Sequence, residues 1–262
     1  MTQHATTGAP LRITVVTPSY NQAAFVGETM RSVRDQDHPD VEHIVVDGVS
    51  TDGSLEVIRQ YGDHATIISE PDSGQTDAIN KGLRRATGEV VCWLNSDDYF
   101  LPGTLSTVAR YFQEHPDCLW LTGDCVIVDR NGTPIQQPVR LYKRALRALP
   151  STFYLGLTNA ITQPATFWRR SVHERLGHLD ESLHYTMDYD WWLRLSTLAP
   201  PARLNRTLTA FRIHEESKGG SEYRKMFAED LATFRRHNSS RLVDRAHAAH
   251  NKLINWTYDR VK

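Results

Sequence analysis

The sequence predicts an α/β protein with a mostly parallel sheet flanked by helices and a helical extension at its carboxyl end. Between residues 12 and 115, short apolar runs alternate with stretches whose apolar residues recur at helical spacing. That alternation is the signature of right-handed βαβ units. Each apolar run breaks at a cluster of Pro, Gly, Ser, Asn or Asp, the punctuation of βα loops. Size agrees: 262 residues, 40% of them hydrophobic, suffice for one large domain with or without a small appendage.

Arg12 to Thr17, with Ile13, Val15 and Val16, reads as a buried strand ended by Pro18-Ser19-Tyr20-Asn21. Phe25, Val26, Met30 and Val33 then recur as one helical face up to Arg34. The second strand is Glu42 to Val46, followed by the loop Asp47 to Ser54 and a helix through Leu55, Val57, Ile58 and Tyr61. A third strand, Thr66 to Ser69, leads through Glu70-Pro71-Asp72-Ser73-Gly74 into a helix from Gln75 to Ala86. Val90 to Leu94 forms the fourth strand and stops at Asn95-Ser96-Asp97-Asp98, after which Leu101-Pro102-Gly103 turns the chain.

The second half is less regular. Leu119 to Val128 reads as two short strands around Gly123-Asp124, and Arg130-Asn131-Gly132-Thr133 as a tight hairpin turn. A short helix is expected over Leu141 to Leu149, a strand over Gln163 to Trp168, and a helix through Val172 and Leu176. Trp191, Trp192, Leu195 and Leu198 place a further helix over Asp188 to Leu198, with the two tryptophans packed inward. A last strand spans residues 203 to 213 and ends at His214. The tail is helical from Tyr223, in two segments parted at Asn238-Ser239-Ser240. The expected division is one domain over 11–218, with halves 11–115 and 116–218, and an extension over 219–262.

Thirty basic against 31 acidic residues leave no global attraction to nucleic acid. Three cysteines, Cys92, Cys118 and Cys125, fit reduced thiols of a cytoplasmic protein better than a disulfide framework. The first ten residues lack the layout of a signal peptide, and no apolar run approaches the roughly 18 residues of a membrane span. Arg224, Lys225, Arg235, Arg236, Arg241 and Arg245 read most plainly as a solvated face. Peripheral contact with an anionic membrane through these C-terminal helices is the sharper alternative.

Four polar clusters follow strands: Pro18 to Asn21, Asp47 to Ser54, Glu70 to Asp77 and Asn95 to Asp98. In a parallel sheet such loops converge on one edge, where ligands bind. The adjacent Asp97 and Asp98 repel unless a cation or hydrogen-bond donors compensate them. A hard ion such as Mg²⁺ or Mn²⁺, shared with substrate phosphates, would do so; a polar turn is the plainer reading. No Gly-x-Gly-x-x-Gly or Gly-x-x-x-x-Gly-Lys-Ser/Thr run is present, which disfavours a dinucleotide or P-loop site.

Taken together, Thr17-Pro18-Ser19-Tyr20-Asn21, Val46 to Ser54, Asp77-Ala78-Ile79-Asn80-Lys81-Gly82, Asn95 to Asp98 and Met187 to Arg194 resemble family 2 inverting glycosyltransferases of the GT-A fold. The resemblance covers about residues 12 to 215 and implies a Rossmann-like nucleotide-binding sheet. It places Pro18, Ser19, Tyr20 and Asn21, with Ser50, Asp52, Asp77, Lys81 and Asn95, at the donor nucleotide sugar. Asp47 would accept a hydrogen bond from the base, Asp97 would lie near ribose and sugar, and Asp98 would hold Mn²⁺ or Mg²⁺. His214 is a candidate metal contact, and Arg212 a candidate for phosphate. Asn95 stands where many relatives carry the first aspartate of Asp-x-Asp, and Val49 where glycine or asparagine is usual.

Asp188 matches the second residue of the family's Glu-Asp pair, with Met187 in place of the glutamate, and is the candidate general base. An inverting transfer needs such a base opposite the leaving group. Asp190, two residues on, points elsewhere and reads as structural. Gln163 and Trp168 are placed on the acceptor side. The acceptor itself, whether glycan, lipid-linked or a small molecule, is open. A sugar nucleotidylyltransferase would call for a basic glycine-rich loop after the first strand, and Pro18 to Asn21 is neither basic nor rich in glycine. A non-catalytic nucleotide-sugar-binding protein would not need Asp47, Asp97, Asp98 and Asp188 together.

Overall fold

The computed structural model describes residues 9–215, 217 and 223–261. The expected boundary between residues 218 and 219 lies outside them, as do residues 1–8. Eight strands form one sheet in the order β3-β2-β1-β4-β7-β6-β8-β5. They are β1 (Ile13–Ser19), β2 (Val41–Asp47), β3 (Thr66–Ser69), β4 (Val90–Trp93), β5 (Tyr99–Phe100), β6 (Trp120–Val128), β7 (Thr166–Arg169) and β8 (Ala202–Arg212). The first four are parallel, as expected. β7 runs antiparallel to both β4 and β6, which restores the direction, and β8 lies parallel to β6. The carboxyl ends of β1, β2, β3, β4, β6 and β8 therefore share one edge, although two of these six strands, β6 and β8, lie outside the regular βαβ region.

The helices of the first half are α1 (Val26–Arg34), α2 (Ser54–Arg59), α3 (Gln75–Arg85) and α4 (Thr104–Glu114). Each buries one apolar stripe on the sheet, Val26, Met30 and Val33 on α1 and Ala78, Ile79 and Leu83 on α3. α3 approaches β1 so closely that a Cβ at Gly82 would stand 2.3 Å from a Val16 methyl, so only glycine fits there.

In the second half come α5 (Gln137–Leu146), α6 (Ser151–Leu157), α7 (His173–Leu176), α8 (Met187–Ser196), α9 (Tyr223–His237) and α10 (Arg241–Val261). Three expectations are corrected here. Leu119 to Val128 is one strand rather than two, because Gly123-Asp124 forms an irregularity in its pairing with β8 instead of ending it. Gln163 lies in a 3₁₀ turn (Gln163–Ala165), and the strand starts at Thr166. Trp168 is wholly buried and packs edge-on against Trp93, Trp191 and Trp192, so it belongs to the core and not to the acceptor side.

That tryptophan cluster joins the two halves. Trp192 of α8 stacks between Trp93 of β4 and Trp120 of β6, with ring centroids 5.8 Å away on each side. Such pairs add roughly 0.5–1.5 kcal/mol each beyond the area they bury. Trp93 leads directly into Asn95 to Asp98, so the core contact that seats α8 also seats the acidic loop.

Candidate active site

The first two loops are tied together by the side chains expected at the donor. Asn21 has φ 52°, in the left-handed region that asparagine tolerates. Its N–H donates to Ser50 Oγ at 3.0 Å, and its Oδ1 accepts from Thr51 N–H at 2.9 Å. Ser50 Oγ donates in turn to Asp47 Oδ1 at 2.5 Å. Asp47 is fully buried, and its other oxygen accepts from Ser50 N–H and Ser69 Oγ. Asp52 accepts from Ser54 N–H and Ala23 N–H. Burial pushes its carboxyl up, but these bonds outweigh burial and hold it below the usual carboxylate range. Asn21, Ser50 and Asp52 thus hold loop to loop.

What remains open at this edge is apolar. Tyr20 and Val49 are 61% and 47% exposed, with Pro18 and Ser19 buried behind them. Val49 has φ 62°, an uncommon conformation for a β-branched residue. Glycine and asparagine, usual at this position in the resembling family, adopt it readily. A Cβ at Gly48 would meet Asp72 Oδ2 at 2.4 Å, so a side chain there would have to displace that carboxylate.

In the third loop Asp77 accepts from Ser73 N–H at 3.0 Å and pairs with Lys81 at 3.2 Å. Lys81 also donates to Pro71 C=O at 2.6 Å. The Ser73 bond, foremost, lowers the Asp77 carboxyl. Asp77 and Lys81 staple the loop to α3, while Gln75 reaches across to Asn95 Oδ1 at 2.8 Å.

The fourth loop is the centre. Asn95 Nδ2 donates to Gln163 Oε1 at 3.1 Å and approaches Asp98 Oδ2 at 3.3 Å. Asp98 is wholly enclosed, its Oδ1 accepting Arg212 N–H at 2.9 Å. Burial first and the neighbouring Asp97 second push its carboxyl well above the usual range. Asp97 keeps a partly open side chain, 21% exposed, and its Oδ2 lies 3.1 Å from His214 Nε2. His214 packs tilted against Phe25 at 4.5 Å, and its buried Nδ1 has no partner. Of the adjacent carboxylates Asp97 is thus the open one, with His214 and Asp98 both enclosed beside it.

Arg212, expected to meet phosphate, is 2% exposed and fully engaged. Its guanidinium donates to the carbonyls of Asp97 and Arg130 and to the Glu28 carboxylate, and it lies over the rings of Phe25 and Tyr99. It fixes the acidic loop rather than presenting a free charge. Glu28 and Tyr99 carried no signal in the sequence beyond a helix face and a turn.

Asp188 comes from the far half of the chain. After α7, the chain runs back along α3: Leu179 meets Asn80, and Leu183 meets Thr76, one turn nearer the helix start. Asp188 then opens α8, its Oδ2 accepting from Asn159 Nδ2 at 2.9 Å and its Oδ1 from Tyr189 N–H at 2.7 Å. Burial raises its carboxyl, and the Asn159 bond and the charge of Lys143 offset that only in part. Asp190 instead pairs with Arg194 and His237 and is structural, as expected. From the tail, Glu229 accepts the N–H groups of Tyr185 and Thr186 at 2.8 and 2.9 Å and braces the start of α8. Neither Asn159 nor Glu229 stood out in the sequence.

An α/β sheet with acidic loops gathered at its carboxyl edge defines a ligand-binding class of α/β protein. Residues 14–177 match the model of the family described as glycosyl transferase family 2, and the chain belongs to that family. It is similar to a putative teichuronic acid biosynthesis glycosyltransferase, TuaG, of Bacillus subtilis. The two are 36% identical over 130 residues, 48% of this chain and 51% of that protein. An uncharacterized glycosyltransferase of Nostoc sp. is 33% identical over 177 residues, 65% of this chain and 54% of that one. The chain thus spans about half the length of these relatives.

Two solved structures show the fold. S. aureus TarS in complex with UDP-GlcNAc superposes with TM-score 0.71 at 19% identity, over 92% of this chain and 71% of that one. The mannosyltransferase PcManGT of Pyrobaculum calidifontis, in complex with GDP-Man and Mn²⁺, does so with TM-score 0.71 at 21% identity, over 94% and 70%. The GT-A fold expected from the sequence is the fold observed. No helix among the described residues is long and apolar enough to cross a membrane.

Proposed function

We propose that the chain is an inverting glycosyltransferase that moves a sugar from a nucleoside-diphosphate sugar to an acceptor hydroxyl, in the building of a cell-surface glycan at the cytoplasmic side. One observation carries this reading: Asp97 and His214 meet at 3.1 Å on the edge where β2 also delivers Asp47. The relatives named for teichuronic acid synthesis and crystallised with UDP-GlcNAc or GDP-Man support the donor class and the glycan.

The donor set fits Mn²⁺ or Mg²⁺. No three His, Cys, Asp or Glu side chains converge among the described residues, so the protein alone makes no closed metal cage. An ion of this kind commonly takes only one or two carboxylates and completes its shell with substrate phosphates and water. Asp97 and His214 are the two residues we assign to it, with Asp98 holding the loop behind them. When bound, the cation would neutralise charge gathering on the departing pyrophosphate. The exposed Tyr20 and Val49 offer apolar surface to the base, with Asp47, the residue we assign to its hydrogen bond, buried beneath them. Asp188 takes the proton of the attacking hydroxyl, its elevated affinity for that proton set by burial. Asn159 keeps the carboxylate oriented.

Arg241 and Arg245, with the exposed Leu242 and Trp256 on α10, support peripheral contact with an anionic membrane. Arg235 and Arg236 count less toward it, being paired with Asp244 and Asp180. The decisive experiment measures release of nucleoside diphosphate from UDP-, GDP- and dTDP-sugars, with Mn²⁺, with Mg²⁺ and with EDTA. Turnover of at least one donor with metal is expected. Absence of both binding and hydrolysis for every donor with either metal overturns the reading.

A further inference from the structure

A second cleft lies away from the acidic edge. It holds about 570 Å³ between α5 and the amino-terminal half of β8, with Thr122 to Asp124 of β6 as its floor. Arg144, Arg147, Arg203 and Arg206 line it, against a single carboxylate, Asp124. That carboxylate is already satisfied twice over, by Arg140 at 3.0 Å and Arg147 at 2.9 Å. Arg206 donates to Thr107. Arg144 and Arg203 are exposed, and among the described residues neither donates a hydrogen bond nor enters an ion pair. The Tyr154 hydroxyl, wholly buried and without a hydrogen-bond partner, feels the charges of Arg203 and Arg147. Surplus guanidinium charge in a concave site is the chemistry that takes up phosphate and carboxylate groups in paired hydrogen bonds.

The cleft is separate from the donor edge but shares an element with it. Along β8, Thr207 at the cleft precedes Arg212 at the acidic loop by five residues, about 17 Å of strand. Arg144 of α5 and Arg147, just beyond its end, line the cleft. Arg147 donates to Ala160 C=O at 2.8 Å, and the preceding residue, Asn159, donates to Asp188 at 2.9 Å. A ligand anchored in the cleft and extending along α5 would bring a hydroxyl to Asp188 a few sugar units away.

We propose that this cleft is an anion subsite for an extended anionic glycan acceptor, holding a phosphate or uronate group several units from the hydroxyl that is glycosylated. The acceptor role rests on the glycosyltransferase reading; the anion site does not.

The test is calorimetric titration with inorganic pyrophosphate at low salt in EDTA, which removes any metal from the donor edge. The wild-type protein is expected to bind, and the Arg144→Ser/Arg203→Ser double variant to bind at least tenfold more weakly. The Arg144→Lys/Arg203→Lys variant should recover part of the affinity and serves as the check on folding. Equal binding by wild type and the serine variant, or none by either, overturns the site. A polygalacturonate oligomer should displace pyrophosphate from the wild-type protein, and failure to do so overturns the glycan assignment. Phosphatidylglycerol vesicles that displace pyrophosphate where the oligomer does not would assign the cleft to a lipid surface and overturn the proposal. Once a donor is known, the serine variant should raise the KM for an anionic acceptor while leaving donor binding unchanged. A loss in donor binding would count against it. Because pyrophosphate binding requires no turnover, the site stands or falls independently of the activity.

Discussion

The carboxylate of Asp97 and the imidazole of His214 stand 3.1 Å apart although 117 residues separate them in the chain. The contact exists because β8 runs parallel to β6, so its end returns to the edge where β4 delivers the acidic loop. Asp97→Asn and His214→Ala are each expected to weaken metal-stimulated donor binding by at least tenfold. In both, the residual binding in EDTA should match the wild type. Metal stimulation that survives both substitutions would remove the pair from the metal site.

Asp188→Asn should keep donor affinity and lose transfer by roughly 10²–10⁴-fold, the range for a positioned general base. A base works only when deprotonated, and burial raises this carboxyl, so the acid limb of kcat/KM should lie above the ordinary carboxylate range near pH 4. The positive charge of Lys143 lowers it. Lys143→Met should therefore move that limb to still higher pH, and an unmoved limb would show that it reports another group.

Val49 holds a left-handed backbone that costs a β-branched residue roughly 1–3 kcal/mol. Val49→Gly removes the strain at a smaller entropic cost in the unfolded chain. The net gain should be about 1 kcal/mol, read as a higher urea midpoint. A midpoint that falls would mean that the side chain contributes contacts outweighing the strain.

His43 is buried in β2 beside Thr17 Oγ1 at 3.0 Å, and burial pushes its pKa down to about 3. In the unfolded chain it takes a proton near its ordinary 6.5. Between those values the unfolded state binds more protons, so stability falls as pH drops from about 6.5 toward 3. Urea midpoints at pH 7.5 and 5 should differ less in His43→Gln than in the wild type.

The four βα units were legible because their two periodicities and their loop residues agree over a hundred positions. The same loops are harder to read at the level of single side chains. Ser, Asn and Asp after a strand signal a ligand edge, yet these types are equally suited to tying one loop to another, as Asn21, Ser50 and Asp52 do. Nothing local separates the two uses. Asp97 and Asp98 are neighbours of identical chemistry, and only the fold makes one of them open. β5 is two residues long and paired with a strand a hundred residues away, which leaves no pattern to read. The basic cleft escaped for a related reason: Arg144 and Arg203 come from different elements and look like ordinary surface charge apart.

Glu229 grips the backbone amides just before Asp188 from a helix that the sequence treated as an appendage. This helix thus braces the backbone that leads into the candidate base. Loss of the Glu229 carboxylate would leave the amides of Tyr185 and Thr186 without that acceptor. Changes on α9 can retune transfer without altering a single residue that touches sugar.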